Sequence, residues 1–120
     1  LKTNDQVEKI YWPGLESHPG HEIASRQMSD FGGMVAFTLK GDSLASANKF
    51  VESTKIFTLA ESLGGVESLI GHPATMTHAS IPKEIREKVG VTDGLIRLSL
   101  GVEDAVDIIE DLKLAFKEIL

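Results

Sequence analysis

The stretch Leu59-Ala60-Glu61-Ser62-Leu63-Gly64-Gly65-Val66-Glu67-Ser68-Leu69 is the most informative segment of the chain. It places a serine directly after a carboxylate and two residues before a pair of glycines. Glycine permits a positive φ and lets another group approach the backbone closely, so the pair predicts a sharp turn. Ser62 can present its hydroxyl to a ligand there, or it can satisfy the turn itself, and residue chemistry alone favours the second reading.

Two later blocks accompany this stretch. Met76-Thr77-His78-Ala79-Ser80 contains a cluster of hydroxyl side chains, and Leu95-Ile96-Arg97-Leu98-Ser99 contains one arginine among aliphatic residues. The second block alternates as a strand does, with Ile96, Leu98 and Leu100 on one face and Arg97 on the other. We therefore expect Arg97 to point away from the core.

Hydrophobic periodicity predicts alternating strands and helices along the chain. Strands are predicted at Val7–Tyr11, Met34–Leu39, 56–59 and 95–100, and helices at 20–28, 44–53, a short segment that begins at 80–82 and ends at Gly90, and 104–120. The predicted fold is α/β in a two-layer α+β arrangement, a small and mainly antiparallel sheet with helices packed on one face.

The predicted helices carry apolar stripes. In the last helix the stripe consists of Ala105, Ile108, Ile109, Leu112, Phe116 and Ile119, and Glu103 and Asp104 lie at the positive end of the helix dipole. In the helix over 44–53 the stripe is Leu44, Ala47 and Val51, with Asp42 or Ser43 as the cap. Arg26 and Arg86 are predicted on solvent-facing helix surfaces.

Composition limits the class of protein. The 120 residues suffice for one domain, with 42% hydrophobic and 25% charged residues. The net charge of −6 argues against nucleic acid and anionic membrane surfaces as partners. No apolar run approaches the ~20 residues that span a bilayer, and we expect a cytoplasmic location. The absence of cysteine excludes disulfides and thiolate metal sites and fits a reducing compartment.

Several other site classes receive no support. His18 and His21 stand three residues apart, but no HExxH pattern accompanies them, and His72 and His78 are predicted to be structural or at the surface. We therefore predict no metal. Ser62 lacks the Gly-x-Ser-x-Gly elbow of serine hydrolases, and the glycine pairs form neither a dinucleotide-binding nor a Walker loop.

A guanidinium offers two parallel donors that match a carboxylate, which is why Arg97 is the sharpest candidate for function. On composition alone, a surface arginine paired with a nearby Asp or Glu is the more common arrangement.

The three blocks resemble, in order, the C-terminal small domain of the cystathionine gamma-synthase and gamma-lyase family, whose members are fold-type-I enzymes that use pyridoxal 5'-phosphate in methionine and cysteine metabolism. The resemblance implies that Arg97 binds the substrate α-carboxylate, that Ser62 and Thr77 support that pocket, and that Glu61 lines the substrate entrance. It also implies that residues 1–120 are the substrate-recognition domain. The cofactor-binding lysine, and with it catalysis, would lie in a large domain that this chain lacks.

The resemblance further implies an amino-acid substrate such as cystathionine or an activated homoserine in transsulfuration, and a homotetrameric full-length enzyme. It does not separate synthase from lyase. A stand-alone, non-catalytic module that binds an amino acid or mediates oligomerisation, descended from the same domain, remains the alternative.

Overall fold

The computed structural model describes all 120 residues. Its strands are β1 (Val7–Tyr11), β2 (Met34–Leu39), β3 (Thr58–Leu59), β4 (Leu69–Gly71) and β5 (Leu95–Ser99). Its helices are α1 (His21–Gln27), α2 (Leu44–Ser53), α3 (Lys83–Lys88) and α4 (Ala105–Glu118). None of the helices has the length and apolar content needed to cross a membrane.

The strands form one sheet in the order β1-β2-β5-β4-β3. β3 and β4 run parallel to each other, and every other neighbouring pair is antiparallel. Helices α2 and α4 cover one face of this sheet and pack against each other. The predicted fold, a mainly antiparallel sheet with helices on one face, is therefore confirmed.

The core lies between that face and the two helices. Phe37 of β2, Phe50 of α2 and Phe116 of α4 meet there, with ring centroids 4.7 to 6.0 Å apart. Ile96 and Leu98 contribute the β5 side and are almost fully buried, as predicted. Removing one such aromatic side chain costs about 3–5 kcal/mol, so this cluster is the main anchor of both helices.

The third strand is shorter than predicted for a specific reason. Asp111 of α4 accepts hydrogen bonds from the backbone N–H groups of Lys55, Ile56 and Phe57, at 2.7, 2.9 and 3.2 Å. These donors are consequently unavailable to a sheet, and β3 begins only at Thr58. A carboxylate more than fifty residues away competes with strand pairing, and no local pattern reveals it.

Strand β4 was not predicted. Its three residues are fully buried, pair with β5 on one side and β3 on the other, and are too few to show a periodicity.

Four residues that the sequence assigned to apolar faces are exposed in the structure. Leu100 is 37% exposed because β5 ends at Ser99. In α4, Ile109 is 52% exposed and Ala105 is also at the surface, because the buried face consists of Ile108, Ala115 and Phe116, with Leu112 partly buried beside them. In α2, Leu44 is 41% exposed, although Ser43 caps the helix and Ala47 and Val51 are buried as expected.

The predicted surface position of Arg86 is also wrong. Only 7% of this residue is exposed, because its guanidinium donates to the Val91 carbonyl at 2.8 Å and pairs with Asp93. Lys83 reaches the other oxygen of the same carboxylate. Hydrogen bonds from Lys83 and then Arg86 lower the pKa of Asp93, and the bond to Asp93 raises the pKa of Lys83.

Candidate functional site

The sheet face opposite α2 and α4 carries Arg97 in a row of directly opposed residues. Tyr11 lies opposite Ala36, Ala36 opposite Arg97, and Arg97 opposite Gly71. The two neighbours of Arg97 in this row are therefore small. A Cβ on Gly71 would come within 3.6 Å of the Arg97 Nη2 atom and 3.3 Å of the Ala60 carbonyl oxygen. Small side chains on both sides leave room for the guanidinium to lie across the sheet.

The Arg97 guanidinium is held by backbone carbonyl groups. Its Nη2 atom donates to the carbonyl oxygen of Glu61 at 2.9 Å and approaches that of Ser62 at 3.4 Å. Its Nε and Nη1 atoms make no hydrogen bond within the protein, and Arg97 takes part in none of the four ion pairs. The arrangement considered above, a surface arginine paired with a carboxylate, is not present.

Three of the four predicted site residues come together. Arg97, Glu61 and Thr77 line one shallow depression of negligible volume, together with Ala60, Gly71, His72, Pro73 and Met76. The Thr77 hydroxyl is 2.8 Å from Nδ1 of His78. Ser62 does not line the depression. It is exposed and touches the site through its carbonyl oxygen, not its hydroxyl.

Residues 60–68, here called the glycine loop, connect β3 to β4. Gly64 has a φ of +74°, as the predicted sharp turn requires. The Gly64 N–H donates to the Ser99 hydroxyl at 2.8 Å, which anchors the turn to β5. Gly101 must also be glycine, because a Cβ there would lie 2.3 Å from the Val66 carbonyl oxygen.

A carboxylate fixes the far end of the glycine loop. Glu103 accepts hydrogen bonds from the Ser68 N–H and the Ser68 hydroxyl, both at 2.7 Å. The Ser68 N–H, followed by the hydroxyl, lowers the pKa of Glu103. Sequence reasoning assigned Glu103 only to the helix dipole. The available signal was that Asp104 alone suffices as the helix cap, which leaves the preceding carboxylate free for another partner.

His72 is a structural residue, one of the two roles that the sequence allowed. It is 1% exposed, with Nδ1 2.8 Å from the Thr75 hydroxyl and Nε2 2.7 Å from the Asp93 carbonyl oxygen. A carbonyl oxygen can only accept, so Nε2 carries the proton. His72 thereby connects the segment between β4 and Thr77 to Asp93, the partner of Arg86.

A larger cavity lies elsewhere. It measures about 770 Å³, opens between β1 and residues 14–19, and shares no residue with the depression at Arg97. Its residues match none of the predicted site positions. The candidate site at Arg97 therefore rests on the chemistry of the unpaired guanidinium and not on cavity size.

Comparison with known proteins adds the family. The family model described as Cys/Met metabolism PLP-dependent enzyme matches residues 1–117. Cystathionine beta-lyase of Lactococcus lactis subsp. cremoris (strain MG1363) is 59% identical over 118 residues, and cystathionine gamma-lyase of Bos taurus is 56% identical over 117. Each match covers 98% of this chain but 30% and 29% of the relative, so the chain spans about 30% of the length of these curated relatives.

A solved structure agrees with the sequence comparison. Cystathionine gamma synthase from Xanthomonas oryzae pv. oryzae, in complex with aminoacrylate and cysteine, superposes with a TM-score of 0.91 at 49% identity. The match covers 99% of this chain and 30% of the other.

Proposed function

Because the chain belongs to the family of Cys/Met metabolism enzymes that depend on pyridoxal phosphate, we propose that it is the C-terminal substrate-recognition domain of a transsulfuration enzyme. Its full-length form would act on cystathionine or an activated homoserine. The relatives named for cystathionine chemistry support this proposal, and so does their length, which leaves room for a larger cofactor-binding domain.

The observation that carries the proposal is the Arg97 guanidinium. It has no carboxylate partner within the protein, yet backbone carbonyl groups of Glu61 and Ser62 fix its orientation. An arginine held in this way keeps its Nε and Nη1 donors free, and either of them can act beside an N–H of Nη2 to bind a carboxylate through two parallel hydrogen bonds. We assign that role to the substrate α-carboxylate, whose fixation would orient the amino acid for reaction.

The other predicted residues have subordinate roles in this proposal. Thr77 adds a hydroxyl at the edge of the depression, and Glu61 places an exposed carboxylate where the substrate would enter. The observed contacts support a different role for Ser62 from the predicted one, since its carbonyl group orients Arg97.

The residues around Arg97 fit an amino-acid substrate better than they fit the cofactor itself. No residue that lines the depression around Arg97 is a lysine, so the residue that binds the cofactor covalently would come from another part of the enzyme. When bound, pyridoxal phosphate supplies the electron sink that stabilises negative charge developing on the substrate. This chain would supply binding and orientation.

The relatives raise a further question, because they include beta-lyases as well as gamma-lyases and a gamma-synthase. Product analysis of the full-length protein with cystathionine distinguishes these activities. Cleavage at the γ carbon releases cysteine, whereas cleavage at the β carbon releases homocysteine. Formation of cystathionine from cysteine and an activated homoserine would identify a synthase.

The same assay tests the proposal against the stand-alone module. We expect turnover of one of these substrates and absorbance from bound cofactor. A full-length product with neither would overturn the enzymatic proposal and favour a non-catalytic amino-acid-binding or oligomerisation module.

A further inference from the structure

The contacts that order the glycine loop come from one short segment of the chain. Arg97 donates to the loop carbonyl groups, Ser99 accepts from Gly64, and Glu103 accepts from Ser68. Gly101 donates its N–H to the Ser68 hydroxyl at 2.9 Å. These four residues occupy alternate positions from 97 to 103, and Val102 between them donates its N–H to the Val66 carbonyl oxygen at 2.9 Å.

The contact at Glu103 differs from the others because both carboxylate oxygens bind the same residue. Oε1 accepts from the Ser68 N–H and Oε2 from the Ser68 hydroxyl. Ser68 is completely buried with the carboxylate in place, so removal of Glu103 leaves its N–H and hydroxyl without this partner. Hydrogen bonds to a charged acceptor are shorter and stronger than neutral ones, and this pair closes the end of the loop opposite Arg97.

The tip of the glycine loop has little else to hold it. Glu61, Ser62, Leu63 and Gly64 are all exposed, so burial contributes little to their order. The carbonyl groups that orient Arg97 belong to this exposed tip. Their position therefore depends on the hydrogen bonds that hold Gly64 and Val66 and on the contacts at either end of the loop.

We infer that Glu103 is a positioning residue for substrate binding. By accepting two hydrogen bonds from Ser68, Glu103 fixes the glycine loop. The loop in turn positions the Glu61 and Ser62 carbonyl groups that orient Arg97. This inference rests on the proposed function of Arg97 as the carboxylate-binding residue. It assigns to Glu103 no contact with substrate or cofactor.

The test is a double-mutant cycle in the full-length enzyme with cystathionine as substrate. Glu103→Ala is expected to raise KM about tenfold or more while lowering kcat less, as loss of a binding interaction does. In an Arg97→Ala background, the same change is expected to have no further effect on kcat/KM, since both changes disable one unit. A residue that only stabilised the fold would lower activity in both backgrounds.

Conservative and matched variants complete the design. Glu103→Gln keeps one acceptor oxygen for the Ser68 N–H and is expected to give an intermediate KM. If Glu103→Ala does not fold, Glu103→Gln replaces it in the double-mutant cycle with Arg97→Ala. Glu118→Ala removes an exposed carboxylate from the other end of α4 and is expected to leave kcat and KM unchanged.

The possible outcomes distinguish the role of Glu103 from the proposed function of Arg97. If Arg97→Ala lowers kcat/KM but both Glu103 variants remain within about twofold of the parent, or if the losses simply multiply in the double variant, the inference about Glu103 is wrong and the proposed function stands. If Arg97→Ala itself leaves kcat/KM unchanged, the proposed function fails, and the role of Glu103 fails with it.

Discussion

The Arg97 guanidinium donates to the carbonyl oxygen of Glu61 at 2.9 Å and pairs with no carboxylate of the protein. A charged side chain fixed by neutral acceptors keeps its capacity to bind an anion. The small residues opposed to it on either side, Ala36 and Gly71, leave its face of the sheet open.

Substitution of Arg97 in the full-length enzyme is therefore expected to impair substrate binding severely. Each hydrogen bond to a charged group is worth about 1.5–3 kcal/mol, so Arg97→Ala should lower kcat/KM by about two orders of magnitude or more. Arg97→Lys should recover little, because an ammonium cannot form two parallel bonds in the same geometry. Steady-state kinetics measure both effects, and the absorbance of the cofactor should be retained.

Arg26→Ala is the matched control for this experiment, because Arg26 is exposed on α1. Arg86, which the sequence suggested for the same purpose, is unsuitable because it is buried in an ion pair. A properly folded Arg97→Ala enzyme with near-normal kcat/KM would show that the carboxylate binds elsewhere.

The 120-residue chain by itself is expected to show no turnover of cystathionine or an activated homoserine, even with added pyridoxal phosphate. The reason is chemical, since the residues around Arg97 include no lysine to bind the cofactor covalently. Product formation by the purified chain would contradict this prediction and relocate the catalytic residues to this domain.

The isolated chain is also expected to self-associate. Val66 and Val102 are 72% and 84% exposed, and they are neighbours, because the Val102 N–H donates to the Val66 carbonyl at 2.9 Å. Exposed apolar surface of this kind favours association when a domain lacks its usual partner. Sedimentation should detect oligomers that decrease in the Val66→Ser, Val102→Ser double variant. A clean monomer with a high unfolding midpoint would favour an independent module.

The ion pair between the buried residues Arg86 and Asp93 is expected to contribute to the stability of the fold. Arg86→Ala leaves the Asp93 carboxylate with only the exposed Lys83 as an ion-pair partner and should lower the free energy of unfolding, by up to about 3–5 kcal/mol. Urea denaturation measures this loss, and Lys88→Ala, an exposed lysine at the end of α3, is the control. Equal stability of the two variants would show that the pair contributes nothing net.

The same carboxylate predicts the direction of a pH effect. Because its partners lower the pKa of Asp93 in the folded state, its contribution is fully present above the unfolded pKa of about 3.9. It is lost as the pH falls through the lower folded value. The stability difference between the parent and Asp93→Asn should therefore shrink below about pH 4. A difference that stays constant down to acid unfolding would contradict this assignment.

Local patterns were sufficient for most of the fold. The continuous apolar run Met34–Leu39 and the alternation in Leu95–Ser99 predicted β2 and β5, and Ser43 was one of the two expected caps of α2. The features that were missed depend on contacts between distant residues. Asp111 shortens β3, Asp93 buries Arg86, and neither partner can be identified from neighbouring sequence.

The candidate site was also predicted only in part from the sequence. Arg97 was identified from its strand and its chemistry, and its depression also contains Glu61 and Thr77. The Ser68–Glu103 contact and the carbonyl groups that hold Arg97 were not predicted. The carbonyl groups of Glu61 and Ser62 are backbone atoms, which every residue possesses and which leave no trace in a sequence pattern.

The carboxylate of Asp111 makes α4 and the entry to β3 one cooperative unit. Three consecutive amides, those of Lys55, Ile56 and Phe57, donate to this carboxylate, so we expect them to be protected from exchange only while the middle of α4 is folded. Their hydrogen exchange should therefore report on the opening of the last helix. Any event that loosens α4, whether a mutation or the loss of a neighbouring domain, would be transmitted to the strand that leads into the glycine loop.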